Sequence, residues 1–214
     1  MNEKTQKYIN IIHEFNQHKN ITGFKSIDEL KNQGVLDSIK VMDVAHEIGF
    51  DYTNKHVADI GAGAGFPSLP HLLENNNYYL TIIEGMQSRC EFLESVKNQL
   101  NVENFTIINA RAENTKEYAR QFDLVTARAV SSVKNMYMLT HHLLKDNGYL
   151  YLPKGKKFSD ELNEFFNKFP DEKENTFVLK YTNSLNEDSF VVVIKKVLPT
   201  PKKWPLSWKQ IKDY

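Results

Sequence analysis

Residues 59–67 read Asp-Ile-Gly-Ala-Gly-Ala-Gly-Phe-Pro, an acid two places ahead of glycines at 61, 63 and 65. Glycines spaced so closely let bare main chain lie against something other than a side chain. A dinucleotide fingerprint, G-x-G-x-x-G, would carry its third glycine at 66, where it lets helix pack tightly on strand. Position 66 is Phe66, so this is a loop of another kind, although a nicotinamide-linked enzyme stays a rival reading. Glu84 ends the run Leu80-Thr-Ile-Ile-Glu84, 23 residues after Gly61, where a carboxylate can accept from both hydroxyls of a ribose. NAD-binding proteins place an acid similarly, so Glu84 does not discriminate between cofactors. Glu113 lies just after another apolar run and reads either as a ligand-facing acid or as a carboxylate serving the amides of a helix N-terminus. Arg128 follows Phe122-Asp-Leu-Val-Thr-Ala; it reads as a guanidinium facing a ligand, or as an ion pair with Asp123 or Glu113.

Those residues need a scaffold that brings them to one edge, and the apolar patterning supplies it. Tyr8, Ile9, Ile11, Ile12 and Phe15 fall at helical spacing, and Ser26-Ile-Asp-Glu29 is a capping box that opens another helix. The stretch 36–49 repeats the helical period and stops at Gly49, a suitable C-cap. From residue 56 strand-like runs take over at 56–60, 78–84, 105–109, 122–128 and 149–153. Helical stretches are expected at 67–74, 87–100 and 131–144, with a weaker one at 113–120. Such alternation argues for a parallel sheet with helices on both faces. The last two apolar runs, 175–182 and 189–197, are joined by a polar turn too short for a crossover helix, and so form an antiparallel hairpin. The fold class is therefore α/β and Rossmann-like: a seven-stranded, mostly parallel sheet closed by an antiparallel hairpin. It divides into a helical cap over 1–50, a core over 51–198 and a basic aromatic tail over 199–214. Ligands in such folds bind outside the carboxyl ends of the strands, where Gly61, Glu84, Glu113 and Arg128 would all lie.

The chain has 27 basic and 27 acidic side chains, so no global field steers it towards nucleic acid. The charge is unevenly spread. Residues 195–214 hold six lysines against Asp213, a local excess of five, with Trp204, Trp208 and Tyr214 among them. Lysines interleaved with aromatics can neutralise phosphates and stack bases; equally, the tryptophans can staple a solvated tail to the domain. The start of the chain lacks the apolar core of a signal peptide and no run is long enough to span a bilayer. Cys90 stands alone, which excludes internal disulfides and cysteine metal clusters. A cytoplasmic, monomeric protein is expected. No histidine spacing suggests a metal site, and neither a P-loop nor a Ser-His-Asp set is present.

The acid followed by G-x-G-x-G resembles the first motif of class I S-adenosylmethionine-dependent methyltransferases, whose ligand has no pyrophosphate to place at a helix N-terminus. The resemblance then sharpens. His18-Lys-Asn-Ile-Thr-Gly23, Leu36-Asp-Ser-Ile39, 59–70, Ala110-Arg-Ala-Glu113, 123–130, Leu152-Pro-Lys-Gly155 and Thr200-Pro-Lys-Lys-Trp-Pro205 are similar, in order and from cap to tail, to the bacterial ribosomal RNA small subunit methyltransferase G family. That resemblance implies methylation of N7 of one guanine in the 530 loop of 16S rRNA, on the small ribosomal subunit or its assembly intermediate. It implies S-adenosyl-L-methionine as cofactor, held by Gly61, Phe66, Ala112, Glu113 and Arg128, to which the glycine spacing adds Gly63 and the strand end adds Glu84. Substrate contacts are expected from Arg128, from Lys154, Lys156 and Lys157, and from Lys202 and Lys203. The chain departs from the family pattern at Gly34, which stands where relatives carry a histidine, at Ser88-Arg89 in place of Lys-Arg, and at Leu206-Ser-Trp-Lys in the tail. Rival readings are transfer to another acceptor, or an rRNA-binding protein that keeps the fold without the transfer. Guanine N7 carries an exposed lone pair, so no general base is expected.

Overall fold

The computed structural model describes all of residues 1–214. The strands are β1 (His56–Ile60), β2 (Tyr79–Glu84), β3 (Phe105–Asn109), β4 (Phe122–Thr126), β5 (Leu144–Lys154), β6 (Thr176–Thr182) and β7 (Asp188–Lys195). They form one sheet in the order β3-β2-β1-β4-β5-β7-β6. β1 to β5 pair in parallel, while β7 runs antiparallel to both β5 and β6, as the short polar turn at 183–187 requires. Strand order reverses between β1 and β4, and a ligand crevice is expected at such a switch point.

Two apolar cores sandwich the sheet. On one face lie α1 (Glu3–Asn16), α4 (Ser68–Asn75) and α5 (Gln87–Leu100), whose Tyr8, Ile9, Ile12, Leu69, Leu72, Leu93 and Val96 join Val57, Leu80 and Leu124 of the strands. The N-terminal helices thus share a core with the sheet. On the other face α6 (Val133–Thr140), α7 (Phe158–Lys168) and α8 (Trp208–Asp213) cover Ala58, Val125, Leu150 and Val192.

On the first face, an irregular helical segment adds Leu30, Val35, Val41, Met42 and Ala45 to the core of α1, α4 and α5. α2 (Ile27–Glu29) opens with the Ser26 side chain accepting from the Glu29 amide; Glu29 reaches back to the Lys25 amide, one residue earlier than a capping box would place it. The chain then widens into a π-helical stretch, Leu30–Leu36, before tightening into α3 (Asp37–Asp43). Gly49 ends the run at φ 72°, as its position suggested. α5 matches its expected bounds, whereas 113–120 holds only two short 3₁₀ turns. β5 begins five residues before the expected run and carries a register irregularity against β4 between Leu144 and Tyr149. α7 and α8 arise where no helix was expected. Phe158, Leu162 and Phe165 give α7 its buried stripe, and Ser207 with Gln210 makes a complete capping box for α8.

Candidate functional site: a glycine turn beside a charged cleft

β1 delivers Asp59 and Ile60 into a turn in which Gly61, Gly63 and Gly65 have φ of 65°, 60° and 116°. A side chain at Gly61 would run against Val130, 3.1 Å away, and one at Gly65 against Leu69 at 2.9 Å, so two glycines answer to tertiary contacts. Gly63 differs, because nothing lies within 4 Å of where its Cβ would be. There the main chain faces open space. The turn is held from beneath by Tyr8, which donates from its hydroxyl to the Ala64 carbonyl at 2.7 Å, and from the side by Glu84, which accepts from the Gly63 amide at 3.2 Å.

Asp59 is fully buried. Its Oδ2 accepts from the Ser68 amide and hydroxyl at 3.2 and 2.6 Å, while Oδ1 has no partner. Burial pushes the carboxyl up to about 7, against the pull of the Ser68 hydrogen bonds and of the Arg128 charge. Glu84, also buried, takes one amide on each oxygen, Gly63 on Oε2 and Met86 on Oε1, and Arg89 lies 3.7 Å from Oε2. Each carboxylate oxygen keeps a second lone pair for a further donor. Ala112 is buried in a 3₁₀ turn past β3, where its carbonyl accepts from Thr115, and Glu113 faces Arg111 at 3.9 Å.

Arg128 leaves β4 beside this turn. Its guanidinium sits 5.1 Å from the centre of the Phe66 ring, within reach of cation–π attraction, and donates to Ser38 Oγ at 3.1 Å. Ser38 in turn donates to the Gly34 carbonyl. Neither ion pair considered from the sequence forms: Asp123 bonds Lys145, Lys55 and the His56 amide at the opposite edge of the sheet, and Glu113 takes Arg111. Arg128 answers instead to the charge of Asp59, which holds its proton on against burial, the larger effect, which lowers the guanidinium's pKa. Gly34 belongs to the same cluster. A Cβ there would stand 2.9 Å from Phe24 and 3.2 Å from Phe66, so these rings close over the position.

Arg128, Val130, Ser131, Asp37, Tyr181 and Lys154 help line a cleft of about 540 Å³. Val130, the residue against Gly61, makes cleft and glycine turn adjacent. The structure therefore brings together Gly61, Gly63, Phe66, Glu84 and Arg128. Lys154 is not a free lysine: it donates to the Ser131 carbonyl at 2.8 Å and to Glu161 at 2.7 Å, and Glu161 also accepts from the Val133 amide at 2.9 Å. It ties the loop after β4 to β5 and α7. Lys156 is exposed and 3.8 Å from Glu187. Lys202 and Lys203 are exposed and lie elsewhere. The tail begins beside His141, which meets Thr200 at 2.9 Å near the amino end of β5, and Trp204 then packs edge-on against Tyr137, His141 and Phe169. Sequence reasoning missed Asp37, Ser38 and Tyr181, which reach the site from the cap and the hairpin; only the Leu-Asp-Ser-Ile run hinted at the first two.

Bare main chain at Gly63, an orphaned buried carboxylate oxygen on Asp59 and spare acceptor capacity on Glu84 fit a ligand bearing ribose hydroxyls and positive charge. Fold and site together define an S-adenosylmethionine-dependent methyltransferase. Among solved structures, a SAM-dependent methyltransferase from Aquifex aeolicus aligns with a TM-score of 0.57 at 16% identity, covering 79% of this chain and 96% of that one. The family model described as rRNA small subunit methyltransferase G matches residues 1–189. Curated relatives of that name from Mycoplasmopsis pulmonis and Acholeplasma laidlawii are 34% and 38% identical, covering 97% and 75% of this chain and 90% and 68% of their own. The chain belongs to the rRNA small subunit methyltransferase G family, and its activity is S-adenosylmethionine-dependent methylation of ribosomal RNA.

Proposed function

We propose that the methyl acceptor is N7 of one guanine in the 530 loop of 16S rRNA, presented by the small ribosomal subunit or an assembly intermediate, and that the protein acts as a monomer in the cytoplasm. Gly61, Gly63, Phe66, Glu84, Ala112, Glu113 and Arg128 would hold the cofactor, which supplies an electrophilic methyl group on a sulfonium. Gly63 offers main chain without a side chain in the way. Glu84 has the lone pairs for ribose hydroxyls, and Phe66 with Arg128 joins the turn to the cap.

The observation that carries the reading is Arg128, fixed by Phe66 and Ser38 between the glycine turn and the cleft. The two carboxylates that line that cleft, Asp37 and Glu161, already accept from backbone amides. This suits an acceptor such as N7, whose lone pair needs no deprotonation, so the chain's task is positioning. Holding reactants at near-attack geometry can supply roughly 7–11 kcal/mol. N7 faces the major groove, which in A-form RNA is too deep and narrow for side chains. The guanine is therefore taken unpaired or flipped, at a cost of a few kcal/mol. Lys156 and Lys157 beside the cleft and Lys202 and Lys203 on the tail would hold the flanking backbone, with Lys154 bracing the loop that carries Arg128.

The test is chemical mapping. Borohydride reduction and aniline cleavage of 16S rRNA, read by primer extension, should give a stop at one guanine that disappears in a deletion strain and returns with the gene. A stop that persists in the deletion strain refutes the substrate assignment.

A further inference from the structure

A carboxylate in a cleft that must receive a polyanion needs a reason. Asp37, the first residue of α3, lines the cleft beside Arg128, Lys154 and Tyr181. Its Oδ1 accepts from the Ser184 amide at 2.6 Å, across 147 residues of chain. That contact anchors the β6–β7 turn and fixes the carboxyl group, while no other protein donor reaches Oδ2. An asparagine would accept the same amide through its carbonyl without repelling phosphate, so anchoring the turn does not account for the charge.

We infer that Asp37 reads the acceptor base, its carboxylate taking the N1–H and N2–H of the guanine, an inference that rests on the guanine reading above. Guanine alone presents two adjacent donors on its Watson–Crick edge, and an ionised carboxylate is acceptor-only with two oxygens. Adenine would turn the lone pair of N1 towards it and be repelled. Flipped bases are commonly read along this edge, with stacking on aromatic or apolar side chains; Tyr181 and Pro153 line the same cleft. With that edge on Asp37, the opposite edge of the purine, which carries N7, is left free for reaction. Val130, shared between the cleft and the Gly61 turn, marks the side on which the methyl donor lies.

Replacing the target guanosine by inosine tests this, because inosine keeps N7 and N1–H but lacks the N2 amino group. Small subunits assembled on 16S rRNA carrying either base are methylated with tritiated S-adenosylmethionine. Wild type should lose roughly tenfold or more in kcat/KM on inosine, the size of one good base contact. Asp37→Asn should lose a similar factor on guanosine, treat inosine and guanosine alike, and keep its cofactor affinity by calorimetry. Asp37→Ser provides a second neutral variant, with thermal unfolding of both to establish that the fold survives. Wild-type discrimination retained by the variants, or no discrimination by wild type, overturns the role of Asp37. Methyl transfer mapped to an atom other than guanine N7 would instead overturn the reading beneath it.

Discussion

Asp59 shows how much a single residue can concede to a site. It sits fully buried under the glycine turn, with one oxygen on Ser68 and the other on nothing. A buried carboxylate without full compensation costs free energy, and it answers by holding its proton more tightly. Its folded value of about 7 lies above an ordinary carboxyl near 3.8, so the folded protein binds this proton where the unfolded chain releases it. The stabilising contribution is complete below about pH 4 and is lost as pH rises through 7. Comparing Asp59→Asn with wild type, both without cofactor, should show melting temperatures that converge near pH 4. The variant should become progressively more stable relative to wild type up to pH 8, by on the order of a few kcal/mol. A gap that does not change with pH would mean that Asp59 is ionised throughout. The glycines and this acid were legible in the sequence, because main-chain geometry and short spacing are local properties. Arg128's partners were not: Ser38 lies 90 residues away, and only the closed fold sets the guanidinium over Phe66.

Among the elements, the same division holds. Every strand was visible as an apolar run, and α5 appeared over the same residues, 87–100, because Cys90, Phe92, Leu93, Val96 and Leu100 mark one face. The π-helical widening at Leu30–Leu36 has no such signature. It exists where Gly34 backs onto Phe24 and Phe66, a tertiary demand written in no local pattern. In the tail, composition left two roles open. Its lysines and aromatics fitted either phosphates and bases or a solvated tail stapled by its tryptophans; in the structure Trp204 lies against Tyr137 and Phe169, Ile211 is fully buried against α6 and its neighbours, and Tyr214 stacks on Phe169. The aromatics hold the tail down and leave the lysines outward. Ile211→Ala should therefore cost about 2–5 kcal/mol, the range for truncating a buried aliphatic side chain, in urea unfolding, with cofactor affinity unchanged. A loss below about half a kcal/mol, as for an ordinary surface position, would show that α8 is not part of the core.

At the scale of the whole molecule, a chain of zero net charge must bind a polyanion through the placement of its charges. One group of cations surrounds the carboxyl edge: Arg128 is braced by an aromatic ring and a hydroxyl, and Lys154 is paired with Glu161. Neither is a loose surface charge, so both serve position more than attraction. The other group, Lys202 and Lys203, is exposed at the far end of β5 and free of ion pairs, on a tail fixed by Trp204. If substrate RNA follows the surface from the cleft to that end, these two lysines supply counterion release without touching the reacting base. Each phosphate contact contributes roughly one unit to the slope of log affinity against log salt. Lys202→Glu with Lys203→Glu should then weaken binding of rRNA, measured by filter retention over a salt series, and lower that slope by about two units. Single-turnover methylation at saturating RNA should be unaffected, because the lysines lie outside the cleft. An unaltered slope would confine the RNA footprint to the carboxyl edge, with Lys156, Lys157 and Arg89 left to carry the phosphates.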